Sequence, residues 1–253
     1  MRFQNKTAII TGAASGMGLH FSKCWVAEGG NVVMSDISAA ALEQAAEELN
    51  LMRAGCAIGV VCDVRDYEQV CAVRDRAVET YGSIDLLVNF AGGAETRMLG
   101  ATGMEFPDVP IEVYDWGIDV NLKGQLYFAH AVLKQMREQK SGVIINIGSI
   151  TGIEGCKHNV SYAASKSAAM NGLTKSIAAY GAKYNIRCNC VSPGPVLTRE
   201  AMGKMRTALG RAAELKEINS AVLYLASDDA SFITGVDLLI DGGRNTLQRG
   251  FDQ

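Results

Sequence analysis

The sequence has no run of about 18 consecutive apolar residues, the length that a helix needs to cross a membrane. It has no basic patch or tail either, because its 24 Lys and Arg residues are interspersed with 27 Asp and Glu, for a net charge of −3. Membranes and nucleic acids are therefore not expected as partners. Residues 1–6 are too few and too polar for an export signal, so we expect a cytoplasmic protein.

Metal-binding cysteine patterns are also missing. The seven cysteines are scattered, without a Cys-x-x-Cys pair or a Cys/His cluster, so no metal site is predicted. An odd number of thiols without an export signal fits a reducing compartment, where most are expected to be small core side chains. His20 and His130 lie in helical stretches and are expected to be structural or on the surface.

The chain also lacks linkers, internal repeats and low-complexity segments, which predicts one domain over residues 1–253. What it has instead is a regular alternation of short β-branched runs with longer amphipathic stretches. Several runs are apolar on both faces, as buried parallel strands are. This pattern predicts an α/β fold with a doubly wound parallel sheet and helices on both faces, whose ligands bind at the carboxyl ends of the strands. The seven predicted strands are Lys6–Thr11, Asn31–Ser35, Ala57–Cys62, Ile84–Asn89, Val143–Gly148, Arg187–Ser192 and Val236–Ile240.

A glycine-rich turn with Gly12, Gly16 and Gly18 follows the first strand and opens a helix, as in Rossmann-type sheets. Glycines there let backbone N–H groups approach a pyrophosphate at the helix N-terminus. Asp36 ends the next strand, where a carboxylate accepts hydrogen bonds from an adenosine ribose diol and repels a 2′-phosphate. The turn contains no Arg or Lys to balance such a phosphate, so NAD is favoured over NADP. A plain structural turn, and Asp36 as a helix N-cap, are the open alternatives.

Tyr162 and Lys166 stand four residues apart in a helical stretch, and so on one face of the helix. A phenol with a reference pKa of about 10 becomes a base near neutral pH only if that pKa falls by roughly 3 units, near 4 kcal/mol. An ammonium at ~4 Å supplies about 4 kcal/mol at an effective dielectric near 20, but only about 1 in bulk water. The pair can therefore act only in a partly dried cleft, which we interpret as one covered by a cofactor and a substrate.

Over about residues 5–243 the chain resembles the compact branch of the short-chain dehydrogenase/reductase family. Phe90 departs from that family's Asn-Asn-Ala-Gly turn, where it replaces the second Asn and puts the local backbone bonding in question. Asn121, Ser149, Tyr162 and Lys166 match the family's catalytic tetrad. The other matching motifs are Gly-x-x-x-Gly-x-Gly at 12–18, Asp63-Val64, Asn89-Phe90-Ala91-Gly92, Pro193-Gly194-Pro195-Val196-Leu197-Thr198 and Ile240-Asp241-Gly242-Gly243.

The resemblance implies an NAD-dependent oxidoreductase that transfers a hydride between the cofactor and the carbinol or carbonyl carbon of a secondary alcohol or ketone. Tyr162 would be the general acid/base, and Ser149 would donate a hydrogen bond to the substrate oxygen. Lys166 would lower the pKa of the tyrosine and bind the nicotinamide ribose, while Asn121 would position a water that links Lys166 to solvent. The cofactor contacts implied are Gly12, Ser15, Gly16, Met17, Gly18, Asp36, Ile37, Asp63, Val64, Asn89, Ala91, Gly92, Tyr162, Lys166, Pro193, Gly194, Val196 and Thr198.

Two other functions stay open at this point. A non-catalytic dinucleotide-binding sensor or scaffold could have the same fold, although the intact Ser149, Tyr162 and Lys166 argue against it. An epimerase or dehydratase that retains its NAD would share the Tyr and Lys, although the chain length and glycine spacing argue against it.

Three loops are expected to frame the substrate: residues 93–112, 150–161 and 199–210. Methionines in the first and third suit an adaptable apolar wall. Glu95, Glu154 and His158 would suit a polar substrate, but a solvated loop position is the simpler expectation for each. The sequence therefore selects no substrate.

Two predicted helices, Asp115–Arg137 and Ser161–Lys183, have small or apolar residues on several faces. Such faces allow close packing between helices, and members of the family that the chain resembles usually assemble through these two. We therefore expect a homo-oligomer, either a dimer or a tetramer.

Overall fold

The fold is built on seven parallel strands in the computed structural model, which describes residues 1–247. Their order across the sheet is β3-β2-β1-β4-β5-β6-β7. The strands are β1 (Thr7–Thr11), β2 (Asn31–Asp36), β3 (Ala57–Val61), β4 (Leu86–Asn89), β5 (Gly142–Ile147), β6 (Ile186–Pro193) and β7 (Asp237–Ile240). Each lies where the sequence predicts a strand, with ends that differ by at most two residues. The predicted domain extends to Gln253, and residues 248–253 lie outside those described.

The strand order reverses beside β1, which pairs with β2 on one side and β4 on the other. The connections that leave β1 and β4 therefore run to opposite faces of the sheet, which opens a crevice at the carboxyl ends of these two strands. The crevice is where the fold places its ligand site.

Helices cover both faces of the sheet. The helices are α1 (Gly16–Ala27), α2 (Ala39–Met52), α3 (Tyr67–Tyr81), α4 (Glu95–Met98), α5 (Ile111–Ile118), α6 (Gly124–Gln139), α7 (Thr151–Glu154), α8 (Val160–Ala168), α9 (Thr174–Gly181) and α10 (Leu215–Ala226). One core lies under α1, α2 and α10, and a second lies under α3, α6 and α9. The sequence predicts no helix at the position of α10. No helix within residues 1–247 has the length and apolar character to cross a bilayer.

Two of the predicted helices are confirmed, but each contains a π-helical turn. Residues Asp119–Lys123 form such a turn between α5 and α6, and residues Ala169–Leu173 form one between α8 and α9. Single π turns inside α-helices occur frequently at functional sites. The first turn contains Asn121, and α8, just before the second, contains Tyr162 and Lys166.

Phe90 has a packing role that explains its presence after β4. Its ring is 8% exposed and lies 5.7 Å, centroid to centroid, from the ring of Phe21 on α1. Burial of an aromatic ring contributes roughly 1.5–3 kcal/mol. Phe90 therefore fastens the loop after β4 to the helix that follows the glycine turn.

Candidate active site

A cleft of about 850 Å³ opens at the carboxyl ends of the central strands. It is lined by the glycine turn, by the ends of β2 and β3, by the loop after β4, and by the segments that follow β5 and β6. The predicted residues that line it are Gly12, Ser15, Gly16, Met17, Gly18, Asp36, Ile37, Asp63, Val64, Ala91, Gly92, Ser149, Tyr162, Lys166, Pro193, Gly194, Val196 and Thr198. Asn89 and Asn121 are the two predicted residues that do not.

The glycine turn leaves the N-terminus of α1 open to the cleft. Ser15 makes no side-chain cap, and the first turn of α1 has no acidic residue, so its backbone N–H groups face no carboxylate of their own. A Cβ on Gly18 would lie 2.3 Å from the Gly12 carbonyl oxygen, so a side chain there would break the turn. At Gly16, which has a φ of 53°, a Cβ would meet nothing within 4 Å. The turn therefore fits the pyrophosphate of a dinucleotide.

Asp36 has a structural task as well as a place in the cleft. Its Oδ2 accepts a hydrogen bond from the Ala14 N–H (3.0 Å), and its Oδ1 accepts one from the Ser38 N–H (3.0 Å). The carboxylate thus holds the glycine turn against the start of α2. The nearby Arg65 is engaged by Asp63 in an ion pair of 2.6 Å, which lowers the pKa of Asp63 mainly through this hydrogen bond.

Lys166 is buried beside Tyr162. Its ammonium lies 5.6 Å from the centroid of the Tyr162 ring and donates a hydrogen bond to the Ile147 carbonyl (2.7 Å). Only 3% of the residue is exposed, and this burial lowers its pKa from 10.5 to about 8. The amine can therefore gain or lose a proton close to physiological pH.

Tyr162 is half-buried in the cleft wall, and burial raises the pKa of its phenol. Three influences lower that pKa: a hydrogen bond with Ser149, then the charges of Arg199 and Arg97. Glu95 raises it. The sequence assigned no role to these two arginines, whose charges act on the Tyr162 phenol.

Asn121 is buried and does not itself line the cleft, and its predicted role in positioning a water stays a prediction. Its Oδ1 accepts from the Gly93 N–H (2.9 Å), and its Nδ2 donates to the carbonyls of Gly93 and Gly117. Its own carbonyl accepts a hydrogen bond from Gln125 Nε2 (2.8 Å). These atoms all form hydrogen bonds with other groups of the protein, and through the bonds to Gly93 the residue holds the loop after β4 in place.

Asn89 does not line the cleft either, and its predicted contact with the cofactor stays a prediction. Its Nδ2 donates to Asn146 Oδ1 (3.0 Å), and Asn146 donates in turn to Thr174 Oγ1 (3.0 Å). All three side chains are buried. Asn89 joins the ends of β4 and β5 to α9 instead of facing the cleft.

The expectation that Glu95 and Glu154 are solvated is wrong. Glu95 is fully buried, and its Oε1 accepts hydrogen bonds from the N–H groups of Ser161 (3.1 Å) and Tyr162 (3.3 Å) at the start of α8. Glu154 forms an ion pair with Arg244 (3.0 Å). Both contacts span many residues, so no local sequence signal reveals them. His158 is exposed and does not line the cleft.

Beyond Tyr162 the cleft has a mainly apolar wall with two cations. The apolar part includes Met98, Trp116, Met202 and Met205, which come from the loops predicted to frame the substrate and from α5. Arg97 on α4 and Arg199 after Thr198 also line it. This end of the cleft is suited to a small apolar molecule with a polar group.

Comparisons with known proteins agree with this arrangement. The profile of a family described as enoyl-(acyl carrier protein) reductase matches residues 12–245. The chain is 38% identical to the trans-4-hydroxycyclohexanecarboxylate dehydrogenase of Sinomonas cyclohexanicum, over 96% of this chain and 93% of that one. It is 36% identical to the 7alpha-hydroxysteroid dehydrogenase of Bacteroides fragilis, over 96% and 95%. The crystal structure of a levodione reductase superposes with a TM-score of 0.87 at 30% identity, over 98% of this chain and 100% of that one.

Proposed function

We propose that this chain, which belongs to the short-chain dehydrogenase/reductase family, uses NAD and acts on secondary alcohols and the matching ketones. As an oxidoreductase of that family, it transfers a hydride between a nicotinamide cofactor and an alcohol or ketone. One observation carries this proposal: a single cleft is lined by an open helix N-terminus, a carboxylate at the end of β2, and Ser149, Tyr162 and Lys166. The names of two relatives support the substrate class, because a hydroxycyclohexanecarboxylate has a secondary alcohol and a hydroxysteroid has one at the named position.

The residues that would hold the cofactor follow the length of the cleft. The N–H groups of the glycine turn would bind the pyrophosphate, Asp36 the adenosine ribose, and Asp63 and Val64 the adenine. Lys166 would bind the nicotinamide ribose, and the segment from Pro193 to Thr198 the carboxamide. When bound, the nicotinamide supplies or accepts the hydride.

Proton transfer and charge stabilisation are the work of the side chains around Tyr162. In the reductive direction the Tyr162 hydroxyl donates a proton to the substrate oxygen, and in the oxidative direction its phenolate accepts the alcohol proton. Ser149 donates a hydrogen bond to the same substrate oxygen, on which negative charge develops during reduction. Lys166 holds a positive charge beside the phenol and favours its ionised form.

The first test removes the Tyr162 hydroxyl. The Tyr162→Phe variant is expected to lose turnover by a factor of about 10²–10⁴ or more, because no other group supplies the proton, while NADH still binds. Turnover is followed through NADH on a panel of secondary alcohols and ketones, and binding through NADH fluorescence. Tyr224→Phe, on α10 and away from the cleft, is the matched control. Full activity in the Tyr162→Phe variant would refute the proposed mechanism.

The second test concerns the choice of NAD. The Asp36 carboxylate, which lines the cleft at the end of β2, would repel the 2′-phosphate of NADP, and Arg65 is already paired with Asp63. Wild-type kcat/KM should therefore be higher with NAD than with NADP. Asp36→Asn keeps an oxygen that can accept a hydrogen bond from the Ala14 or Ser38 N–H. The variant should reduce the ratio of kcat/KM with NAD to kcat/KM with NADP by about 10-fold, which corresponds to roughly 1.4 kcal/mol. Equal or faster turnover of the wild type with NADP would contradict this assignment.

We also propose a cytoplasmic homo-oligomer. All seven cysteines, which lie within residues 1–247, are free thiols, as in proteins of reducing compartments. Leu126 on α6 and Tyr180 on α9 are 45% and 42% exposed, and they lie on the two helices expected to form the interface. A second copy packed on these helices would bury both side chains, which supports a dimer or tetramer.

A further inference from the structure

We propose that the substrate has a carboxylate in addition to its alcohol or ketone group, and that Arg97 and Arg199 bind this carboxylate at the substrate end of the cleft. The inference deepens the proposed function and depends on it. It assigns the chemical class of the substrate as hydroxy acids and keto acids, with an apolar skeleton between the two polar groups.

The first observation is that these two guanidinium groups lack counter-ions. Within residues 1–247, the guanidinium groups of Arg97 and Arg199 form no salt bridge and no hydrogen bond, although the Arg199 backbone carbonyl accepts one from the Met202 N–H. By contrast Arg65, in the same cleft, is paired with Asp63. Two unpaired arginines in one cleft are an arrangement that a ligand anion would complete, because a guanidinium matches the two oxygens of a carboxylate.

The second observation is that the two cations are close enough to act on each other and on Tyr162. Burial lowers the pKa of Arg97, and the charge of Arg199 lowers it further. Both charges also lower the pKa of the Tyr162 phenol. Like charges that converge are unfavourable unless a negative group lies between or beside them. Arg97, Arg199 and Tyr162 line one cleft, so an anion bound by the arginines would lie in the same cleft as the proton-transferring hydroxyl.

The third observation is the composition of the wall around the arginines. Met98 and Met202 come from the same loops as Arg97 and Arg199, and Trp116 also lines the cleft, so the skeleton that joins the two polar groups would meet apolar and adaptable side chains. The phosphates of a dinucleotide have a different donor set, which is the uncapped N-terminus of α1. This separation favours the substrate over the cofactor as the source of the anion.

The experiment compares keto acids with uncharged analogues of the same skeleton. Acetoacetate is paired with acetoacetamide, and levulinate with levulinamide, and kcat/KM is measured by oxidation of NADH. The wild type is expected to prefer the acid of a pair by about 10-fold or more, the order of a charge-assisted hydrogen bond. Arg97→Met and Arg199→Met should each reduce turnover of the acid by roughly 10-fold and leave the amide nearly unchanged. Lys157→Met, which removes an exposed charge from the loop after β5, should change neither.

A binding measurement separates this inference from the proposed function. Calorimetric titration of levulinate into the NADH-loaded Tyr162→Phe variant should show binding that weakens by about 10-fold when Arg97→Met is added. Turnover of amides and acids at equal efficiency, with no effect of the arginine variants, would overturn the carboxylate assignment but keep the oxidoreductase. A loss of NADH affinity in Arg199→Met, with the preference for acids unchanged, would assign that residue to the cofactor and also overturn it. Failure to reduce any ketone, with levulinate still bound, would count against the proposed reaction alone.

Discussion

At the scale of single residues, burial changes the chemistry of Lys166 more than its spacing from Tyr162 does. Lys and Tyr at four-residue spacing share a helix face in any helix, exposed or not. In this chain the fold brings α8 close enough to the end of β5 for the Lys166 ammonium to reach the Ile147 carbonyl, and the side chain is buried away from water. Its lowered pKa, about 8, is a consequence of that position in the fold.

The buried lysine leads to a prediction about stability. A lysine whose pKa is lower in the folded state binds fewer protons when folded than when unfolded, between pH about 8 and 10.5. The free energy of unfolding of the cofactor-free protein should therefore be reduced below pH 8 and should rise as the pH increases towards 10.5. Between these two pH values, the free energy of unfolding should differ by roughly 3 kcal/mol because of this one lysine.

Lys166→Met should remove this pH dependence and stabilise the cofactor-free protein at pH 7, although it abolishes turnover. Chemical denaturation at several pH values measures the effect, and Lys175→Met on α9, which is exposed, is the control. A Lys166→Met protein less stable than the wild type across the whole range would contradict the prediction.

At the scale of elements, α8 is positioned by contacts that come from far along the chain. Glu95 accepts hydrogen bonds from the first N–H groups of α8, which are among the donors that a helix leaves unsatisfied. Gly117 on α5 lets α8 approach closely, since a Cβ there would lie 2.0 Å from Ser161 Oγ and 3.2 Å from Glu95 Cβ. These contacts position the residue that follows Ser161, which is Tyr162, the proposed general acid/base.

A prediction follows for this helix contact. Gly117→Ala forces α5 and α8 apart, so it should destabilise the protein by about 1–3 kcal/mol and lower kcat. Ser161 Oγ is buried without a hydrogen-bond partner among residues 1–247, so Ser161→Ala alone should be nearly neutral or stabilising. In the Gly117→Ala/Ser161→Ala double variant, the loss of the Ser161 hydroxyl should restore part of the stability, because the closest clash of the new Cβ is with Ser161 Oγ. Additive losses in the double variant would show that the two helices do not meet as described.

At the scale of the whole molecule, the outer surfaces of α6 and α9 raise the question of assembly. Leu126 and Tyr180 are exposed on these helices, whereas Leu51, 88% exposed, stands at the end of α2. Light scattering is expected to give two or four times the chain mass of 27.0 kDa. Leu126→Asp should dissociate the assembly, because a carboxylate in an apolar interface loses its hydration.

Leu51→Asp is the matched control for assembly and should leave the mass unchanged. A wild-type mass of 27.0 kDa would refute the proposed oligomer. A mass that Leu126→Asp leaves unchanged would instead mean that another surface forms the interface.

The sequence by itself determined the features whose causes are local. β-branched runs predict the seven strands, the Gly12 to Gly18 turn predicts an open helix N-terminus, and four-residue spacing brings Tyr162 and Lys166 to one face. Each of these depends on residues that are neighbours along the chain. The order of the motifs was enough to indicate the family and the type of reaction.

Only the tertiary structure decided what long-range contacts control. It placed Glu95 under α8, turned Asn121 and Asn89 into structural links, and brought Arg97 and Arg199 into one cleft. In the sequence Glu95 is 66 residues from Ser161, and Arg97 is further still from Arg199. Whether a carboxylate or guanidinium is solvated, paired or left facing a ligand depends on which distant segments fold against it, so spacing along the chain could not reveal it.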